Sequence, residues 1–144
     1  MPQQTITDEE INKCFEVMSE LRENLIKDEF LDLVRQMERE GFRLAFHEEN
    51  GSVVVVAGYR VFTNLSMGKN LYVDDLSTSK SERSKGYGEK MINWLRDVAK
   101  AEGCNYFHLD SGTQRHAAHK FYFRQGLSIN YITLVKSYKK LNDW

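Results

Sequence analysis

Residues 81–95 read SERSKGYGEKMINWL, which places Arg83, Gly86 and Gly88 directly ahead of a helix with a strong apolar face. Glycine loses more backbone entropy on folding than any other residue, so two of them at a helix entrance weaken local structure. Close approach of the backbone to an anionic ligand would offset that cost. The first N–H groups of a helix have no partner within it, and the helix dipole favours an anion there. Glycines at 86 and 88 remove the Cβ atoms that would hold a ligand away, and Arg83 and Lys85 add positive charge. A phosphate or pyrophosphate fits this entrance. The plainer alternative is a turn with a few solvated charges, because short glycine motifs recur by chance. A Walker loop is absent, and Met91 stands where a dinucleotide fingerprint needs its third glycine.

The flanking sequence supplies the frame. Thr7 with Glu10 three residues later is a capping-box pattern. Ile11, Phe15, Met18 and Leu21 then recur at helical spacing. A second helix carries Phe30, Leu33, Val34 and Met37 on one stripe and stops at Gly41. Two extended runs around Asn50-Gly51 predict a tight hairpin. A further turn around Gly68 leads to a third strand, NLYVDDLST. Alternation places Leu71, Val73 and Asp75 on one face of it and Tyr72, Asp74 and Leu76 on the other. After the glycine loop, Met91, Ile92, Leu95, Val98 and Ala99 share one helix face. That helix ends near Gly103, and a strand begins at about Asn105. Strand, crossover helix and strand imply a parallel pair with a right-handed connection. A short helix stopped by Gly126 and a last strand over 127–138, LSINYITLVKSY, complete the chain. The expected class is α+β: a mixed, mostly antiparallel sheet with one parallel pair and helices on both faces. With no linker, repeat or low-complexity segment, residues 1–144 read as one domain.

Composition closes several other routes. Hydrophobic residues at 41% and a net charge of −1 describe a globular chain without the basic excess of a nucleic-acid binder. No apolar run approaches the ~18 residues of a membrane span, and MPQQTITDEE has no apolar leader core. Cys14 and Cys104 read as reduced thiols of a cytoplasmic protein. His116 and His119, spaced i, i+3, have no third ligand at an obvious spacing, so no metal is expected.

Arg83-x-x-Gly86-x-Gly88 resembles the [QR]-x-x-G-x-[GA] signature of the GCN5-related N-acetyltransferase superfamily. Downstream, Ala118-x-x-Phe121-Tyr122-x-x-x-Gly126 is similar to the family's A-x-x-[LF]-Y-x-x-x-G-F helix, with Leu127 in place of the aromatic. The family order of elements fits residues 8 to 136. The resemblance implies an enzyme that transfers an acetyl group from acetyl-CoA to a primary amine, of a small molecule or a protein, by direct attack in a ternary complex. The alternative is a non-catalytic acyl-CoA-binding module. No nucleic acid, membrane or metal enters this reading; the amine acceptor is unidentified. Members of the family commonly form homodimers, and the sequence leaves the oligomeric state open.

The resemblance also distributes roles. It implies that Arg83, Ser84, Lys85, Gly86, Tyr87 and Gly88 hold the pyrophosphate, and that the main chain of Leu76, Ser77 and Thr78 pairs with pantetheine as an added strand. Arg115 stands where many members carry an Asn that touches the cofactor, and joins this set by position. Tyr122 matches the tyrosine that protonates the departing sulfur. Asp74 and Asp75 are candidate bases, directly or through water, for an amine that is mostly charged at neutral pH. Apart from the resemblance, Tyr59, Arg60 and Phe62 are candidates for the acceptor cleft, with ordinary sheet surface as the alternative.

Overall fold

The computed structural model describes residues 1–137. They divide into two compact units, 1–109 and 110–137 within the described range, and each is described by itself.

The first unit is a five-stranded sheet in the order β1-β2-β3-β4-β5. Its strands are β1 (Gln3–Gln4), β2 (Phe42–Glu49), β3 (Ser52–Asn64), β4 (Gly68–Thr78) and β5 (Tyr106–Leu109). All neighbours are antiparallel except β4 and β5, the expected parallel pair. Asn50 and Gly51 both take positive φ, 54° and 80°, between the facing residues Glu49 and Ser52. Two left-handed residues in a two-residue loop are what the twist of a hairpin requires.

Helices α1 (Asp8–Lys13), α2 (Phe15–Leu21) and α3 (Lys27–Glu38) precede the sheet. The single first helix expected from periodicity is two, because the chain tightens at Cys14, whose N–H donates to Ile11 O. The Thr7–Glu10 capping box is formed from both sides. Ile11, Val17, Met18, Phe30 and Val34 pack with Phe42, Leu44, Phe46 and Val56 on one face of the sheet. Leu33, expected in that stripe, is exposed instead. Helix α4 (Tyr87–Ala101) covers the opposite face, where Met91, Leu95 and Ala99 meet Ala57, Tyr59, Leu71 and Val73. Helices on both faces thus hold one sheet between two apolar layers.

The alternation expected along β4 is inverted halfway. Gly58 faces Asp75 while its neighbour Tyr59 faces Val73, so Asp74 is an extra residue in the ladder, a β-bulge. Beyond it Leu76 packs on the α4 side with Leu71 and Val73, whereas Asp75 turns to the α2 side. The expected faces of Asp75 and Leu76 are therefore exchanged. Gly58 makes room for this arrangement. A Cβ there would lie 2.4 Å from the Phe42 ring and 2.6 Å from Asp75 Oδ2. Gly58→Ala is expected to cost about 1–3 kcal/mol through overpacking, read as a lowered urea midpoint with unchanged slope.

The second unit contains α5 (His116–Arg124), followed by Gly126 at φ 85°. The last strand expected over 127–138 does not form across 127–137; Tyr138 lies outside the described residues. Alternating side chains specify a strand's faces but not its ladder partner, and Ile129, Tyr131, Ile132, Leu134 and Val135 are all exposed.

Candidate active site

Strand β4 outruns its parallel neighbour. It pairs with β3 from Gly68 to Thr78 but with β5 only from Asn70 to Val73. Residues 74–78 therefore have no strand beside them on the β5 side among the described residues. A strand with one edge unpaired presents N–H and C=O groups that an extended ligand can use. Leu76, Ser77 and Thr78, expected along pantetheine, all lie on this free half. The Ser77 hydroxyl is committed inward, donating to Val17 O at 2.9 Å. Because Ser79 N–H donates to Val54 O, the antiparallel alternation turns the main chain of Ser77 to β3 and that of Leu76 and Thr78 to the edge.

The chain then makes a 3-10 turn over Lys80–Glu82 and reaches the glycine loop. Ser84 and Gly86 take left-handed backbone at φ 67° and 86°. Gly86 is the N-cap of α4 and, having no side chain, supplies no cap hydrogen bond to that helix. A Cβ at Gly86 would meet nothing within 4 Å, so the glycine is required by its φ rather than by crowding. A fifteen-residue helix thus opens with N–H groups that no N-cap side chain engages, at the end of the free strand edge. Around it, Lys85 pairs with Glu82 at 2.6 Å and Arg83 reaches back to Thr78 O at 3.5 Å. The Tyr87 ring packs beside His47, with centroids 6.0 Å apart, and serves the α4 core.

The two aspartates that sequence leaves equivalent are distinct in the fold. Asp75 Oδ1 accepts from Arg22 Nε at 2.8 Å, and its other oxygen faces Gly58. Asp74 Oδ2 accepts from Arg60 Nε at 2.9 Å, while Asp74 Oδ1 is buried and has no hydrogen-bond partner among the described residues. Burial raises the Asp74 carboxyl above the usual carboxylate range; Arg60 works against it, and the Asp75 charge reinforces it. Arg60 also donates to Glu40 O and lies 5.6 Å above the Phe42 ring, which holds its guanidinium in place. Of the three residues suggested for the cleft, Tyr59 is instead buried between Arg43 and Trp94.

In the second unit, Arg115 is the N-cap of α5 and Tyr122 lies seven residues on, two helical turns along the same face. Burial raises the Tyr122 phenol above its ordinary value, opposed by Arg115. Tyr122 packs edge-on against Phe121 at 5.4 Å. His119 Nε2 donates to Gly112 O at 2.8 Å, which requires the tautomer protonated at Nε2.

The fourth strand of this mixed sheet thus leaves its parallel partner and runs on to a helix with glycine at its N-cap. The chain belongs to the acetyltransferase (GNAT) family, whose model matches residues 8–127, and it is an N-acetyltransferase. It is 32% identical over 120 residues to the uncharacterized N-acetyltransferase YhdJ of Bacillus subtilis, covering 83% of this chain and 84% of that one. A shorter stretch of 63 residues is 35% identical to the thialysine N-epsilon-acetyltransferase of Mus musculus, 43% of this chain and 37% of that protein. The fold superposes on an aminoglycoside N-acetyltransferase solved in complex with CoA, with a TM-score of 0.83 at 11% identity, covering 97% and 95% of the two chains. Acetyl-CoA is the family's acetyl donor.

Arg22, the partner of Asp75, escapes sequence reading because it lies 53 residues away; Arg60, singled out for the acceptor cleft, is found paired with Asp74. Two adjacent carboxylates inside a strand were the one available signal, since buried charges need partners. Among the described residues, no helix is long and apolar enough to cross a membrane.

Proposed function

We propose that the protein transfers the acetyl group of acetyl-CoA to a primary amine, by direct attack with both substrates bound. The observation that carries this reading is the free edge of β4 running into the glycine N-cap of α4. In this reading the backbone of Leu76 and Thr78 binds pantetheine as an added strand, with Ser77 between them turned to β3, and the N–H groups of residues 84–88 receive the pyrophosphate. Lys85, already paired with Glu82, contributes less charge than the sequence suggests. Main-chain N–H near Leu76 stabilises negative charge on the acetyl oxygen.

The bound donor supplies a thioester; the chain's own groups manage the protons. Asp74 Oδ1 takes one proton from the bound ammonium, directly or through a water, which frees the neutral amine to attack the thioester carbonyl; the second proton leaves nitrogen for solvent as the amide forms. Tyr122 gives its phenolic proton to sulfur as the carbon–sulfur bond breaks, and solvent restores both groups. Asp74 is preferred over Asp75 because it alone of the two offers a buried oxygen without a partner among the described residues, and its raised pKa brings it nearer the working pH. The partial likeness to an enzyme named for thialysine supports small aliphatic amines as the first acceptors to try.

A titration with coenzyme A and an acetyl-CoA consumption assay over thialysine, diamines and aminoglycosides test the reading; binding without turnover on any amine would leave the non-catalytic module. Gly88→Ala gives a sharper test of the loop. Gly88 is the second residue of α4, where replacing glycine by alanine is expected to stabilise by up to about 1 kcal/mol. If the backbone at 88 meets the pyrophosphate, the same change weakens coenzyme A by about tenfold, the order of one lost charge-assisted hydrogen bond. Higher melting temperature with lower affinity is the expected pair of results; unchanged affinity removes the loop assignment. Gly86→Ala is less clean, because φ 86° makes alanine strained whatever binds.

A further inference from the structure

The free half of β4 has no strand on one side among the described residues, yet its position must be fixed for any reaction along it. Helix α2 supplies the hold. Ser77 Oγ donates to Val17 O, Lys80 N–H donates to Glu20 Oε2 at 2.9 Å, and Arg22 reaches the bulge itself. Arg22 is the C-cap of α2, where the backbone leaves the helix at φ −112° and ψ 81°. Its Nε donates to Asp75 Oδ1 at 2.8 Å and its Nη2 to the main-chain Asp74 O at 3.0 Å. One guanidinium thus grips a side chain and the bulge peptide together.

That second contact has a geometric consequence. The Asp74 carbonyl and the Asp75 N–H belong to one planar trans peptide and point in opposite directions. Holding the carbonyl fixes the direction of that N–H, and with it the start of the next peptide, whose N–H is that of Leu76. A bulge is the place in a ladder where such orientation is least constrained by pairing. The contribution to folding is small, because the Arg22 side chain is half exposed, at 49%, and such pairs are weak. The contact is therefore better suited to orientation than to stability.

We propose that Arg22 is a positioning residue for acetyl transfer: its two-point grip on the Asp74–Asp75 bulge aims the main-chain donors that polarise the acetyl carbonyl. The inference rests on the reading that acetyl-CoA lies along the free edge of β4. It assigns Arg22 no contact with either substrate.

The test uses the full chain with acetyl-CoA labelled with ¹³C at the carbonyl, read by isotope-edited infrared spectroscopy, alongside calorimetric coenzyme A affinity and thermal midpoint. In the wild type the bound carbonyl band shifts to lower frequency than in free acetyl-CoA. Arg22→Met keeps the length of the side chain without its donors. It is expected to lose more than about half of that shift while coenzyme A affinity stays within about threefold, since the donors act on the acetyl oxygen and not on the phosphates. Arg22→Lys, with one compact donor group, recovers part of the shift. An undiminished shift in Arg22→Met overturns the inference and leaves the acetyl-CoA reading standing. Loss of affinity, shift and thermal midpoint together overturns it too, by making Arg22 a structural tether. A wild type that does not bind acetyl-CoA removes the underlying reading, and the inference with it.

Discussion

Tyr122→Phe is expected to lower turnover by roughly 10² to 10⁴ while the protein stays folded and binds coenzyme A as before. The ring and its edge-on contact with Phe121 survive the change. The main-chain acceptor Tyr122 O, which receives N–H groups from Gln125 and Leu127, is untouched. Only a hydroxyl is removed, and in the proposed role it acts on departing sulfur rather than on the phosphates. The loss should therefore fall on kcat and kcat/KM together, as for an interaction made mainly in the transition state. The pH profile adds an independent check. An acid works only while protonated, and burial raises the Tyr122 phenol above its ordinary value. Activity is retained until the pH rises through that raised value and is then lost; removing the hydroxyl removes this alkaline limb. Near wild-type turnover in the Phe variant would make Tyr122 a packing residue and leave sulfur to be protonated by solvent.

How much of this was legible in the sequence depended on the range of each interaction. The Asn50-Gly51 turn, the Thr7–Glu10 cap and the stop at Gly126 follow from backbone preferences within a few residues, and all three form as read. The apolar face of α4 was legible because burial of Met91, Ile92, Leu95 and Ala99 needs only a period of 3.6. The glycine loop was legible as an entrance, but not the left-handed turn at Ser84, a residue type with no strong preference for it. The bulge at Asp74 was hidden: strict alternation is blind to one inserted residue, and a slip of one exchanges the faces of everything beyond it. The partners of the acidic pair were hidden for a different reason. Arg22 lies 53 residues from Asp75, and only the packing of α2 on β4 brings them together. Strand β1, two residues long, carries too little pattern to be read at all.

Asp74→Asn is the substitution that separates the two aspartates. The amide oxygen of Asn can still accept from Arg60 Nε, so the contact that anchors the side chain survives. What changes is the buried Oδ1, which becomes an NH₂ group that cannot take a proton. If Asp74 is the base, turnover falls by roughly 10² to 10⁴, the range for a positioned proton acceptor, while coenzyme A affinity is unchanged. Asp75→Asn should cost less, because its Oδ1 is already engaged by Arg22 and the carboxylate contributes structure rather than proton transfer. The pH dependence follows from the direction of the shift. Burial raises the Asp74 carboxyl, so the basic form is lost at a higher pH than for an ordinary carboxylate as the solution is acidified. The acid limb of kcat/KM should accordingly lie above the usual carboxylate range in the wild type and vanish in Asp74→Asn. Arg60→Met should move that limb further up, because the cation that opposes the effect of burial is gone. An Asp74→Asn enzyme with an intact acid limb and more than about half its turnover would assign the proton to water, and the unpartnered oxygen would then be a feature of the bulge alone.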